Sequence, residues 1–291
     1  MVKIPNKKKG PASKKLKQKA PAKRQAPTRG LDAEARKYAK LIADPCYGQI
    51  TDPVYQSSGS GQFVRLENDF IIGAEATSVG AAMIFTPGMI SATGAGAVIP
   101  TTVVNSDTGA IVWNANTTYQ CGTAFAATGS AVRAVSACMQ ISYVGSELTR
   151  AGVFSIAQMN RQQALGFTTT AKLRSAAERV VRIPDGVLEI KLAPTAKNAD
   201  FYSTGIDQAD SGEWPCLVFT ATGIPSSTGI RVRLVQVLEW LPAAATGVIS
   251  NTSSTRSFNS LQQVLAAMYQ ANPQWQYELL TGLGAYAAKA I

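Results

Sequence analysis

Between Phe63 and Leu241 the chain is written in short β-branched runs, each closed by Gly, Pro, Ser, Thr or Asn, and long helical periodicity is missing from most of the stretch. Runs of that length and texture exclude a helical bundle and argue against alternating strand and helix units, so the body is expected to be all-β. The strand candidates are Gln62 to Leu66, Ala82 to Thr86, Ala110 to Trp113, Ala131 to Val144, Gly152 to Gln158, Arg179 to Ile183, Val187 to Leu192, Cys216 to Ala221 and Gly229 to Trp240. Eight or nine strands in one uninterrupted block point to a sandwich, barrel or jelly roll. In GIRVRLVQVLEWL, Ile230, Val232, Leu234 and Gln236 share one face while Arg231, Arg233, Val235 and Val237 share the other. Both faces are partly apolar, which predicts a strand packed on both sides.

Helical signals lie mainly at the two ends. Leu31, Ala35, Tyr38 and Ile42 recur at helical spacing, with Asp32 and Glu34 in the first turn and Lys37 and Lys40 near the last, so a short helix is expected before Asp44 and Pro45. Thr169 to Ala177 reads as a short surface helix between strands. After Pro242 comes an Ala, Gly, Ser and Thr rich linker, and then Phe258, Leu261, Val264, Leu265, Met268 and Tyr269 draw one apolar stripe down a helix that stops before Asn272 and Pro273. A weaker helical segment is read from Gln274 to Ile291. SATGAGAVIP, residues 91 to 100, lacks the Lys-Ser/Thr of a phosphate loop and reads as an ordinary loop.

Charge is concentrated at one end. Residues 1–29 carry eleven of the 28 Lys and Arg and no acidic residue; seventeen basic and eighteen acidic residues remain for the rest, a net of −1 against +10 for the whole chain. Lys, Pro and Ala with almost nothing to bury predict a disordered arm that seeks a polyanion. Lys7, Lys8, Lys9, Lys14, Lys15, Lys17, Lys19, Lys23, Arg24 and Arg29 suit phosphate neutralisation by counterion release, and the arm's lack of aromatics excludes base stacking as its mode. A chain with only 16% charged residues is expected to bury surface against other copies of itself.

Several classes drop out. Histidine is absent, which removes Ser-His-Asp and Cys-His catalysis and histidine metal sites, and no convergent catalytic site can be named. Cys46, Cys121, Cys138 and Cys216 stand alone without a CxxC pair and read as buried free thiols. The basic start is not followed by an apolar run, so no signal peptide is expected, and no stretch is apolar enough for a membrane span.

Two segments carry a resemblance. AVRAVSACMQISYVGSELTRAGVFSIAQM, residues 131 to 159, runs a long strand into a Tyr-x-Gly-Ser-x-Leu turn and a Gly-led strand; CLVFTATGIPSSTGIRVRLVQVLEWLP, residues 216 to 242, places a Gly-x-Pro-x-Ser hairpin between two strands. With the basic arm in front, the chain resembles the jelly-roll coat proteins of small icosahedral RNA viruses of the nodavirus-like and tombusvirus-like kind. The resemblance implies an eight-stranded jelly-roll β-sandwich over residues 63–242, behind a basic RNA-binding arm at 1–29 and a short helix with a connecting segment at 30–62. A linker and amphipathic C-terminal helices follow at 243–291. It implies a shell of many copies, a single-stranded RNA genome as partner, a place in the virion after assembly in the host cytoplasm, and membrane contact by the C-terminal helix during entry. Calcium between subunits is a further implication, with Asp207 and Asp210 as ligands in DFYSTGIDQADSGE, although a solvated polar loop is the plainer reading of that stretch. The chain departs from the nodavirus pattern of self-cleavage between Asn and Ala, because Asn251, Asn259 and Asn272 precede Thr, Ser and Pro. The competing class is a cellular nucleic-acid-binding protein with a basic tail, which would spread basic residues over its folded face.

Overall fold

The computed structural model describes residues 30–55, 61–73, 80–89, 98–104, 110–118, 128–203, 213–226, 228–244 and 260–280. Twelve strands lie among them: β1 (Gln62–Gly73), β2 (Gly80–Phe85), β3 (Val98–Val104), β4 (Asn114–Thr118), β5 (Gly129–Val144), β6 (Val153–Asn160), β7 (Arg179–Arg182), β8 (Val187–Lys191), β9 (Tyr202–Ser203), β10 (Pro215–Thr222), β11 (Gly229–Pro242) and β12 (Tyr277–Leu280). The α-helices with named bounds are α1 (Ala33–Ala43), α2 (Arg161–Leu165), α3 (Thr170–Ser175) and α4 (Leu261–Ala271).

The strands form two sheets, ordered β1-β11-β5-β8-β12, with β9 added beside β5, and β4-β3-β2-β10-β6-β7. Four antiparallel pairings nest inside one another: β1 with β11, β2 with β10, β5 with β8, and β6 with β7. Among these eight strands the first pairs with the last, the second with the next to last, and so inward. That nesting makes a jelly roll of the sandwich. Beyond these eight, among the described residues β3 and β4 extend one sheet and β9 and β12 add to the other.

Met83, Phe85, Met139, Ile141, Phe154, Phe219, Val232 and Leu234 fill the space between the sheets, with Phe154 and Phe219 meeting edge to face at 6.5 Å. Each such side chain contributes about 1.5–3 kcal/mol on burial. The first sheet is covered on its other face too, where α1 and α4 pack over Val135 and Val237. This accounts for the doubly apolar β11: Val232 and Leu234 face the core, while Val237 lies under the helices.

β5 departs from strict alternation. A register shift opposite Val237 and Leu238 puts Val135 under the helices and leaves Cys138, three residues on, on the same outer face, while Met139 and Ile141 point into the core. Residues three apart on a regular strand face opposite ways, so the bulge is what lets both serve the helical layer.

Other differences from expectation have local causes. Ala110 makes a single bridge to Thr169, and the strand expected there begins at Asn114 instead. β3 starts inside the segment read as a loop; its Pro100, which has no N–H to donate, sits at a register irregularity between Ile99 and Thr101. The segment after Pro273 was expected to be helical, but Tyr277–Leu280 pairs with β8, where Lys191 Nζ meets Glu278 Oε2 at 2.7 Å. Helices α1, α3 and α4 fall where periodicity placed them. Ser260 and Gln263 close a capping box on α4, and its apolar stripe buries Val264 and Met268. Phe258 and residues 281–291 lie outside the described residues.

Candidate nucleic-acid arm anchor

The ten basic residues assigned to nucleic-acid binding, Lys7, Lys8, Lys9, Lys14, Lys15, Lys17, Lys19, Lys23, Arg24 and Arg29, lie outside the described residues, as do Asp207 and Asp210. What the structure does describe is the ground from which the arm departs. Three residues past Gly30 the chain enters α1, where the Asp32 carboxylate accepts from the Ala35 N–H at 2.8 Å, and Ala35, Tyr38, Leu41 and Ile42 are fully buried. A cap of this kind is worth about 1 kcal/mol and fixes where the helix starts.

Two devices hold α1 to the sheet. The Tyr38 hydroxyl donates to the Val135 carbonyl at 3.1 Å and lies 3.1 Å from the Tyr55 hydroxyl, which reaches the Ala134 carbonyl at 3.2 Å. Burial pushes both phenols well above their ordinary range, so both stay neutral donors. Just past the helix, Cys46 is joined to Cys138 of β5 by a disulfide with Cα atoms 5.8 Å apart, closing a 92-residue separation. This corrects the reading of Cys46 and Cys138 as free thiols. Cys216 is a buried free thiol as expected, its pKa pushed up to about 12 by burial, which makes it a poor nucleophile.

A buried ion pair lies at the adjoining end of the sheet. Arg133 and Glu239 face each other across β5 and β11, with side chains 0% and 1% exposed. Glu239 Oε2 accepts from Arg133 Nε at 2.8 Å and from its terminal nitrogen at 2.6 Å, while Oε1 accepts from the Gly61 N–H at 2.7 Å. Arg133 also donates to the Ala199 carbonyl and lies over the rings of Phe201 and Tyr55 at 4.2 and 5.2 Å. The charges are thereby paired, hydrogen-bonded and stacked, the conditions under which a buried ion pair persists. Arg133 and Glu239 belong to the two segments that carried the family resemblance, and they turn out to be the facing pair of adjacent central strands.

The far half of the outer face carries a ladder of opposite charges. Arg231 Nε reaches Asp69 at 3.0 Å, and Arg233 is paired with Glu67 and donates to the Tyr47 hydroxyl at 2.8 Å. Hydrogen bonds from these guanidinium groups hold the Glu67 and Asp69 carboxyls below their usual range. Among the described residues no group of three or more His, Cys, Asp or Glu is placed to hold a metal, and Glu213, beside the acidic loop, pairs with Lys197. No helix among the described residues is long and apolar enough to cross a membrane.

The chain superposes on a structure of infectious bursal disease virus, Gx strain, with a TM-score of 0.60 and 7% identity over 87% of this chain and 98% of that one. The T13 particle of the same virus gives a TM-score of 0.59 at 7% identity, covering 83% and 95%, and its VP2 subviral particle 0.55 at 7%, covering 81% and 94%. The fold is that of a jelly-roll viral capsid protein. No protein-family model matches the sequence, and no curated protein matches it. At 7% identity the similarity carries no residue roles across, and it bears on the jelly roll as a whole, not on the nodavirus-like or tombusvirus-like kind.

Proposed function

We propose that this chain is the coat protein of a small icosahedral virus, a structural and non-catalytic protein whose jelly roll self-associates into a closed shell and whose basic arm condenses single-stranded RNA inside it. The observation that carries the reading is the nested pairing of β1 with β11 through β6 with β7, a fold shared nearly end to end with subunits of infectious bursal disease virus particles. The charge distribution supports the second half of the proposal. A body at −1 offers little for a single copy to bind nucleic acid with, but arms of +11 gathered in one shell form a dense polycation. Virion localisation after assembly in the host cytoplasm, membrane contact by the C-terminal segment during entry, and calcium held by Asp207 and Asp210 belong to the same proposal.

The arm is tested by replacing Lys7, Lys8, Lys9, Lys14, Lys15, Lys17, Lys19, Lys23, Arg24 and Arg29 with Gln in the full chain. The shell should still form, because its core and sheet pairings are untouched, while nuclease-protected RNA per particle falls at least tenfold. Unchanged RNA content would remove the arm from the packaging role.

A further inference from the structure

On one side of α1, where it runs beside α4, lies a groove of about 520 Å³. Its floor is apolar and shallow-walled, made chiefly by Ala39, Met268, Ala271 and Trp275, and Leu31, the second residue after the arm, forms part of its end. Arg36 and Lys40, exposed and one helical turn apart on α1, stand on the rim, and no carboxylate lines it. Lys40 has no ion-pair partner among the described residues. The larger groove on the other side of α1, about 1170 Å³, is different in kind: Glu34, Asp44 and Asp52 line it together with Lys37 and Lys40. Its carboxylates make it less suited to a polyanion than the smaller groove.

We propose that the groove between α1 and α4 seats a nucleotide of the packaged RNA, its base on the Met268, Ala271 and Trp275 floor and its phosphates on Arg36 and Lys40. Three features converge on this occupant. The volume lies within the range of small-ligand sites, about 300–1,000 Å³. An apolar floor beside a rim that carries Arg36 and Lys40, with Lys191 already neutralised by Glu189 and Glu278, matches a flat apolar base joined to an anion. Leu31 brings the groove to the root of an arm that neutralises phosphates but has no aromatic residue to receive bases. The arm gathers RNA without order, and the groove would fix one nucleotide per copy where the arm begins. This inference rests on the coat-protein reading, which supplies the RNA.

The test uses full-length chain assembled with RNA containing 4-thiouridine, irradiated, digested and mapped by mass spectrometry. Crosslinks are expected within residues 31–43 and 267–275 as well as in the arm. Arg36→Glu with Lys40→Glu should lower the groove crosslinks at least fivefold and leave arm crosslinks unchanged. Ala271→Trp, which fills the groove from a partly exposed position, should do the same with an unchanged melting temperature. Crosslinks confined to residues 1–29 would overturn the groove and leave the arm intact; crosslinks in neither region would overturn both. Groove crosslinks that survive the charge reversal would overturn the assignment of Arg36 and Lys40. A groove that fails to crosslink but binds a fluorescent fatty acid would assign it to a lipid and equally overturn the proposal.

Discussion

Arg133→Ala is expected to lower the stability of the folded subunit by about 3–5 kcal/mol, among the largest losses available to one substitution in this fold. The side chain is fully buried, so its removal takes from the buried Glu239 carboxylate the two guanidinium N–H groups it accepts and the charge that balances it. It also opens space against Phe201 and Tyr55. Glu239→Gln should cost about as much, because it leaves the guanidinium charge without its carboxylate. The pair itself is worth far less than either loss, since desolvation offsets most of the attraction between buried charges. Arg133→Met combined with Glu239→Leu should therefore recover much of the stability lost by either single change. Denaturant unfolding of the four species provides the cycle. Single substitutions costing under about 1 kcal/mol would show that the pair is wet and weak.

The second large effect concerns the disulfide. Cross-linking across 92 residues removes chain entropy from the unfolded state, about 4–5 kcal/mol on the loop-closure model, and measured losses of native bridges run about 2–5 kcal/mol. Cys46→Ala with Cys138→Ala is expected to fall in that range, with loosening concentrated at α1 because Cys46 directly follows it. Hydrogen exchange should rise first at residues 33–46, ahead of the core strands. In the unaltered oxidised chain, Cys46 and Cys138 should resist alkylation under denaturing conditions until reductant is added; alkylation without reductant would refute the bridge. In a reducing cytosol the two are held as thiols, so the comparison belongs to particles released into an oxidising medium.

Periodicity reported the sandwich well wherever an element's own residues decided its structure. β5 and β11 are long, β-branched and central, and α1 and α4 carry both stripe and caps, so their positions could be read directly. β3 was hidden because the Gly-rich run before it and Pro100 within it are loop signals, and its pairing depends on β2 and β4, strands distant in sequence. The spacing of Leu279 and Leu283 suits a helix, whereas β12 is defined by its pairing with β8, a strand much earlier in the chain. The same limit applies to the site. The arm's charge was visible at once, yet its anchor was not: the spacing of four single cysteines carries no pairing information. The bulge that turns Val135 and Cys138 to one face breaks the alternation by which a strand is read. Glu239 and its partner Arg133 lie 106 residues apart, one in each of the two segments that carry the resemblance, and no local pattern pairs them.

The central claim, that this jelly roll is a shell subunit, is tested most directly by electron microscopy of the purified full-length chain at physiological salt. The account predicts closed, uniform spheres with icosahedral symmetry and one jelly roll per subunit, with α1 and its arm on the inner side. A protein that remains monomeric at high concentration, with or without RNA, would contradict it.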